Sequence, residues 1–315
     1  MRKECEPFPF LHNAFTIAAR NILEDFSSYD IIHLLDIRPI FRIRYGNAIS
    51  ITMVHDFRPI TAPELDSERY SGFRGGSDLR LVRLPAIAAA LDSDFLTANS
   101  MQTLDEAVSL GFDKKKIFVT NLGVDRRYFV NTARRRKKSQ FKVGYIGGMS
   151  RSKNLNFAIK AFRMTDKKNN VMEIWGAKGG PDYESALSVR GGDIRVKFMG
   201  FAPENKKIAI YDSFDAFVYP SLYEGFGIQM MEAQARGLPV IIYKDGKITK
   251  EVKRYCIEAR DEEHMAEIIE YIKDNGYSDR QRKRAMLYAR GFTWEKMARE
   301  TIEVYRNAYA MKNRK

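Results

Sequence analysis

Pro220-Ser-Leu-Tyr-Glu-Gly-Phe-Gly-Ile-Gln-Met-Met-Glu232, read on through Gly237 and Pro239, is the stretch that decides the fold. Ahead of it, Ala216-Phe-Val-Tyr219 is a short apolar and aromatic run. Pro220 has no amide to donate to a ladder, so the run reads as a buried strand that stops there. Gly225 and Gly227 bracket Phe226. A turn of this composition tolerates positive φ and lets backbone amides approach a ligand where a Cβ would obstruct. From Ile228 the residues are good helix formers, closed by Gly237 and Pro239, a C-terminal stop signal. The order is strand, glycine loop, helix.

Two carboxylates lie in this stretch. On one continuous helix Glu224 and Glu232 would sit about 80° apart in projection, too far for a close dyad. The turn gives them separate tasks. Glu232 falls early on a helix, where amides and dipole favour polyanions, and a carboxylate there accepts from vicinal hydroxyls. Glu224 falls in the loop before it and meets whatever hangs beyond the phosphates. Taken singly, each glutamate reads as a solvated surface group.

Upstream, Lys142-Val-Gly-Tyr-Ile-Gly-Gly-Met-Ser-Arg-Ser-Lys-Asn-Leu-Asn-Phe-Ala-Ile-Lys-Ala-Phe162 reads as a second strand, glycine turn and helix. Val171–Gly176 and Val196–Phe201 read as further strands, with Gly179-Gly-Pro-Asp182 as turn punctuation. In the first half, Asp30–Leu35 and Ile49–Asp56 read as parallel-sheet strands ending in polar groups. Ligands of open α/β sheets bind at strand carboxyl ends. His55 and Asp56 are placed for such a site, with His33 at a comparable position.

The string Pro-Ser-Leu-Tyr-Glu-Gly-Phe-Gly, followed by Glu-Ala and Gly-Leu-Pro-Val, resembles the nucleotide-sugar signature of glycosyltransferase family 4. These are retaining group 1 glycosyltransferases of the GT-B fold. The resemblance covers nearly the whole chain and is strongest from Val143 to Val240. It implies two Rossmann-like parallel-sheet domains facing each other across a cleft, and a C-terminal helix crossing back to the N-terminal domain.

The domains expected are 1–131 on the acceptor side, a basic linker at 132–140, a nucleotide-sugar-binding domain at 141–293 and the terminal helix at 294–315. The turn at Asn121-Leu-Gly-Val-Asp125 matches the family's approach to the hinge. Two departures stand out. Many family members carry arginine where this chain has Gly148, and they open with a strand and glycine-rich loop that Met1–Phe10 does not display. Either the sequence starts late or the acceptor domain lacks its first strand.

By the same resemblance, Gly147 and Gly148 admit the pyrophosphate, and Arg151 and Lys153 supply positive charge to it. Gly200, Phe201 and Ala202 contact the base through backbone. Gly225, Phe226 and Gly227 present amides, Glu224 orients the sugar hydroxyls, Glu232 holds the ribose and His55 contacts the transferred sugar. Lys153 reads as an exposed loop lysine, whose loss would cost turnover rather than stability. The activity implied is retaining transfer of a sugar from a nucleoside-diphosphate donor to a glycan, glycolipid or lipid-linked hydroxyl acceptor. No metal and no cofactor are expected.

A noncatalytic nucleotide-sugar-binding protein on the same scaffold is the alternative, and an epimerase or phosphorylase stays open because fold alone does not fix reaction. A nicotinamide oxidoreductase fits poorly, since Gly144-Tyr-Ile-Gly-Gly148 lacks the Gly-x-Gly-x-x-Gly spacing.

The 315 residues suffice for two domains with separate cores. Lys and Arg number 53 against 40 acidic residues, a formal charge of +13. Such a field concentrates polyanions. With no nucleic-acid module in the sequence, the expected partners are the donor, a saccharide or lipid-linked acceptor, and anionic membrane at the basic linker. Cys5 and Cys256 are too few for a disulfide framework, which suits a reducing cytoplasm.

Overall fold

A computed structural model describes residues 28–35, 47–65, 90, 93–130, 140–179 and 181–312. All but the last residue of the expected linker at 132–140, and the expectation for Met1–Phe10, lie outside the described residues.

The chain divides into two compact units. The described part of unit 1 comprises residues up to 61, those between 90 and 120, and those from 299 on; unit 2 comprises 62–65 and Asn121–Ala298.

Unit 1 holds a four-stranded parallel sheet in the order β1 (Ile31–Leu34), β2 (Ile49–Val54), β3 (Phe95–Ala98), β4 (Ile117–Val119). Every residue of β2 is buried, as a strand covered on both faces requires. Its buried polar groups are all partnered. Asp94 accepts from the Ser50 amide at 2.9 Å, and Thr52 pairs with Ser93 at 2.6 Å. Ser100 caps α1 (Met101–Ser109) by accepting from the Thr103 amide. Helix α1 contributes Leu104 and Ala107 to a cluster with Leu96, Ala98 and Ile117.

A second cluster joins Ile49, Ile51 and Phe95 to Val304 and Ala308. The last two belong to the terminal helix, which runs Trp294–Lys312. Lys312 donates to the Ala48 carbonyl and to Asp94. Tyr305 meets the His33 ring edge-on, with its hydroxyl 2.9 Å from Nδ1. His33 is the next-to-last residue of β1, at the strand end expected, and there it holds this helix, with Thr97 at 3.3 Å on its other nitrogen.

Unit 2 holds a six-stranded parallel sheet. In chain order its strands are β5 (Phe141–Ile146), β6 (Asn170–Trp175), β7 (Val196–Gly200), β8 (Ala216–Val218), β9 (Val240–Tyr243) and β10 (Ile257–Ala259). In space they run β10-β9-β8-β5-β6-β7. The chain starts at β5, steps outward through β6 and β7, then returns to the other side of β5 to lay down β8. Counted within the unit, this is the doubly wound order 3-2-1-4-5-6, with its switch point between β5 and β8.

Helices α2 (Leu155–Met164) after β5 and α3 (Ile228–Ala235) after β8 pack into the same core. Gly144 in β5 is needed for close packing: a Cβ there would lie 2.1 Å from the Phe214 ring. The closure of α3 follows the expected stop. Gly237 takes φ +68°, and the Leu238 amide reaches back to Ala233 at 3.0 Å.

Burial holds His33 below the ordinary imidazole range. The unfolded chain then binds the proton more readily, so stability is lost as pH falls through about 6.5, where the unfolded histidine protonates. Urea titrations across this range should show a drop that His33→Gln flattens. An identical pH slope in that variant would remove His33 as the clamp.

Candidate functional site

Both loops flanking the switch point are the glycine loops singled out from sequence. After β5 the chain passes Gly147 and Gly148, makes one 3-10 turn at Arg151–Lys153, and enters α2 through Asn154 in the left-handed conformation. After β8 it passes Pro220 to Gly227 and enters α3 through Gly227 at φ +90°. A Cβ on Gly227 would lie 2.2 Å from Met230. No side chain caps either helix. Two helix N-termini thus converge on one end of the sheet, each with the amide and dipole character that favours an anion.

Backbone stitching fixes the two loops to each other. The Leu222 amide donates to the Ser152 carbonyl at 2.8 Å, as does the Ser221 hydroxyl at 2.9 Å. The Glu224 amide donates to Lys247 and the Lys247 amide to Leu222. Across them lies the central ion pair: Lys153 Nζ is 2.6 Å from Glu224 Oε1, with side chains only 20% and 8% exposed. The reading of Lys153 as an exposed lysine is therefore corrected. Its removal takes the paired cation from a buried carboxylate, which costs stability as well as any function.

Beneath the loops Phe217, Tyr219 and Tyr145 stack in sequence, centroids 5.8 and 5.5 Å apart. Lys153 lies 5.7 Å over the Tyr219 ring. The Tyr145 hydroxyl donates to the Gly148 carbonyl and pins the loop. Burial, and then the negative charge of Glu224, push both phenols well above their ordinary range, so both stay neutral.

Gly147 tolerates little: a Cβ would come within 3.1 Å of the Tyr145 hydroxyl. Gly148 is different. Its Cβ would meet nothing within 4 Å, and the position accepts a side chain.

The neighbouring strand ends extend the site. Gly147 donates to Trp175 and Gly176 donates to Gly200, both at 2.9 Å. A Cβ on Gly176 would lie 2.3 Å from the Gly147 carbonyl, so this glycine sets how closely the strand ends approach. Gly200 takes φ +87°, and Phe201 beyond it is 77% exposed. The Phe226 side chain is buried against Phe292 instead, so any part it has at a ligand falls to its backbone.

Glu232, in the second turn of α3, is buried with both oxygens engaged. Lys207 reaches Oε1 at 2.9 Å and the Tyr211 hydroxyl donates to Oε2 at 2.8 Å. Burial raises its pKa, with Lys207 and Tyr211 opposing. Each carboxylate oxygen retains a further lone pair for a hydroxyl.

Sequence reading missed Lys207, Tyr211 and Arg236. The Arg236 guanidinium clamps Asp212 at 2.8 Å through two nitrogens and reaches the Tyr128 and Val130 carbonyls. Arg151 is exposed. His55 belongs to unit 1, where its Nε2 donates to the Leu35 carbonyl at 2.9 Å and its own carbonyl accepts from Asn99. Desolvation pushes the thiol of half-buried Cys256 up to about 12, which suits a packed sulfur and not a nucleophile.

The pattern described as glycosyl transferases group 1 matches residues 130–292, more than half of the chain. The chain belongs to the group 1 glycosyl transferases. Among curated proteins this group 1 glycosyltransferase is similar to the O-antigen chain mannosyltransferase B of Escherichia coli. Identity is 25% over 170 residues, covering 51% of this chain and 45% of the relative. It is also similar to a glycogen synthase of Mycobacterium tuberculosis, 25% identical over 269 residues, covering 82% and 65%. The chain thus spans roughly half to two thirds of the length of these relatives.

Among solved structures it is similar to sucrose-phosphate synthase from Thermosynechococcus elongatus, with TM-score 0.71 and 19% identity over 98% of this chain and 81% of that one. Anabaena HepE in complex with UDP and glucose gives TM-score 0.70 and 18% identity over 96% and 84%. The fold is the GT-B fold expected from sequence.

Comparing unfolding of Lys153→Met, Glu224→Gln and the double variant should give a coupling of about 0.5–3 kcal/mol. Additive losses in that cycle would show the pair does not hold the two loops together.

Proposed function

We propose that this glycosyltransferase moves a sugar, with retention of anomeric configuration, from a nucleoside-diphosphate donor to a hydroxyl acceptor. The observation that carries the reading is the convergence of two uncapped helix N-termini and the Lys153–Glu224 pair at the switch point of unit 2. Breaking a sugar-phosphate bond leaves charge growing on the departing diphosphate. Fixed amides and cations stabilise that charge without reorganising as it develops.

In this reading Lys153 and Arg151 face the phosphates and the amides of Gly225, Phe226 and Gly227 approach them. Gly200 and Phe201 lie along the base, and Glu232 holds the ribose. Glu224, already held by Lys153, orients the sugar hydroxyls, and no covalent nucleophile is assigned. His55 keeps its proposed contact to the transferred sugar on the strength of its strand-end position and the family resemblance. The HepE structure was solved with UDP and glucose, and a starch synthase structure with ADP and acarbose. The same ligand class is proposed for this chain. Saccharide and lipid-linked hydroxyls are the acceptors in view, and transfer is proposed to need no metal.

Noncatalytic binding of a nucleotide sugar is the second reading, and Gly148 is the residue that favours it. The backbone accepts a side chain there, yet none is present to grip phosphate.

A thermal-shift screen of the protein against uridine, guanosine and adenosine diphosphate sugars should single out one base. Donor hydrolysis or transfer with the hit then separates enzyme from binder. No shift with any of the three overturns both readings. Glu232→Gln should weaken nucleoside-diphosphate binding about 10- to 100-fold by calorimetry, the loss of one or two charge-assisted hydrogen bonds; unchanged affinity removes the ribose role. Conversely, Gly148→Arg should tighten binding about tenfold or more through a new contact to phosphate. Weaker binding in that variant would mean the diphosphate does not pass this loop.

A further inference from the structure

The opposite end of the unit 2 sheet carries a feature that donor binding does not use. The last turns of α2, the loop leading into β6 and the Gly191–Arg195 loop leading into β7 enclose an open groove of about 800 Å³. Because every strand is parallel, these loops lie at the amino ends of the strands and the glycine loops at the carboxyl ends.

Among the described residues the groove is lined by Lys160, Arg163, Lys167 and Arg195 against one carboxylate, Asp193. Arg195 is occupied by Asp193 at 2.7 Å and lies over Phe162, so it stiffens the loop more than it charges it. Lys160 sits 3.7 Å from Glu262 and remains half exposed. Arg163 and Lys167 are exposed. Between these cations stand two apolar side chains with no cover: Ile194 is 87% exposed and Met164 53%. Ile194 projects from a loop that begins with Gly191 at φ +56° and continues through Gly192, beside which a Cβ would meet nothing.

We propose that this face docks on an anionic lipid bilayer, with Ile194 and Met164 entering the interface and the lysines and arginine pairing with headgroups. Exposed isolated apolar side chains are ordinary on protein surfaces; a protruding isoleucine ringed by cations has the two ingredients of interfacial attachment, buried apolar area and attraction to anionic lipid. Among the described residues no aromatic side chain lines the groove to stack a base, which favours a bilayer over nucleic acid. Attachment here leaves the carboxyl ends of the strands uncovered. The inference is independent of the donor assigned above.

The test is flotation with phosphatidylcholine vesicles, with and without phosphatidylglycerol. The unaltered protein should float only with phosphatidylglycerol, and less as salt rises. Ile194→Ser should lower the partition coefficient about tenfold. Joint Lys160→Gln and Lys167→Gln substitution should lower it about fivefold per residue. A variant with residues 134–138 changed to Gln should keep its dependence on Ile194. Flotation that survives the groove substitutions, that disappears in the 134–138 variant alone, or that is absent while a DNA oligonucleotide binds, overturns the proposal.

Discussion

One constraint organises unit 2: β5 lies between β6 and β8, so the loops after the first and fourth strands must emerge side by side. Nothing in the local chemistry of either loop requires them to meet; the strand order does. Once they meet, Ser152 carbonyl accepts from both Ser221 and Leu222, and Lys153 finds Glu224. Residues 71 positions apart in sequence become one polar surface facing two helix amino ends. The glycines then have distinct reasons to be glycine. Gly176 prevents a clash with the Gly147 carbonyl, Gly227 permits the entry to α3, and Gly148 leaves space open.

Much of this was legible in the residues. The strand at Ala216–Val218 ends where Pro220 removes a donor, and α3 ends where Gly237 turns left-handed, because proline and glycine act on their own backbone without help from distant contacts. The parallel sheets follow from buried apolar runs such as Ala216–Val218 that do not alternate. The terminal helix that the resemblance implies at 294–315 runs Trp294–Lys312, with Val304 and Ala308 on its buried face.

What was not legible is where long side chains end up. Lys153 follows two serines and an arginine in a glycine loop, and nothing local distinguishes a solvated lysine from one that reaches a carboxylate on another loop. Lys207 and Tyr211 are separated by one helical turn, a pattern shared by countless surface helices. Their convergence on Glu232 depends on α3 and the segment before β8 packing together. Arg236 is similar: its fork is satisfied by Asp212 and two carbonyls that only the folded core brings within reach. His33 too stands at the strand end expected, but its contact with Tyr305, 272 positions away, depends on the terminal helix packing there.

The central claim is that a nucleoside diphosphate lies across the switch point between β5 and β8. Hydrogen exchange measured with and without the nucleotide chosen by the thermal screen tests this directly. Protection should appear at the amides of 147–153 and 225–229 together, with the amino ends of the same strands unchanged. Protection confined to any other segment, or to one of the two loops without its partner, would contradict the account.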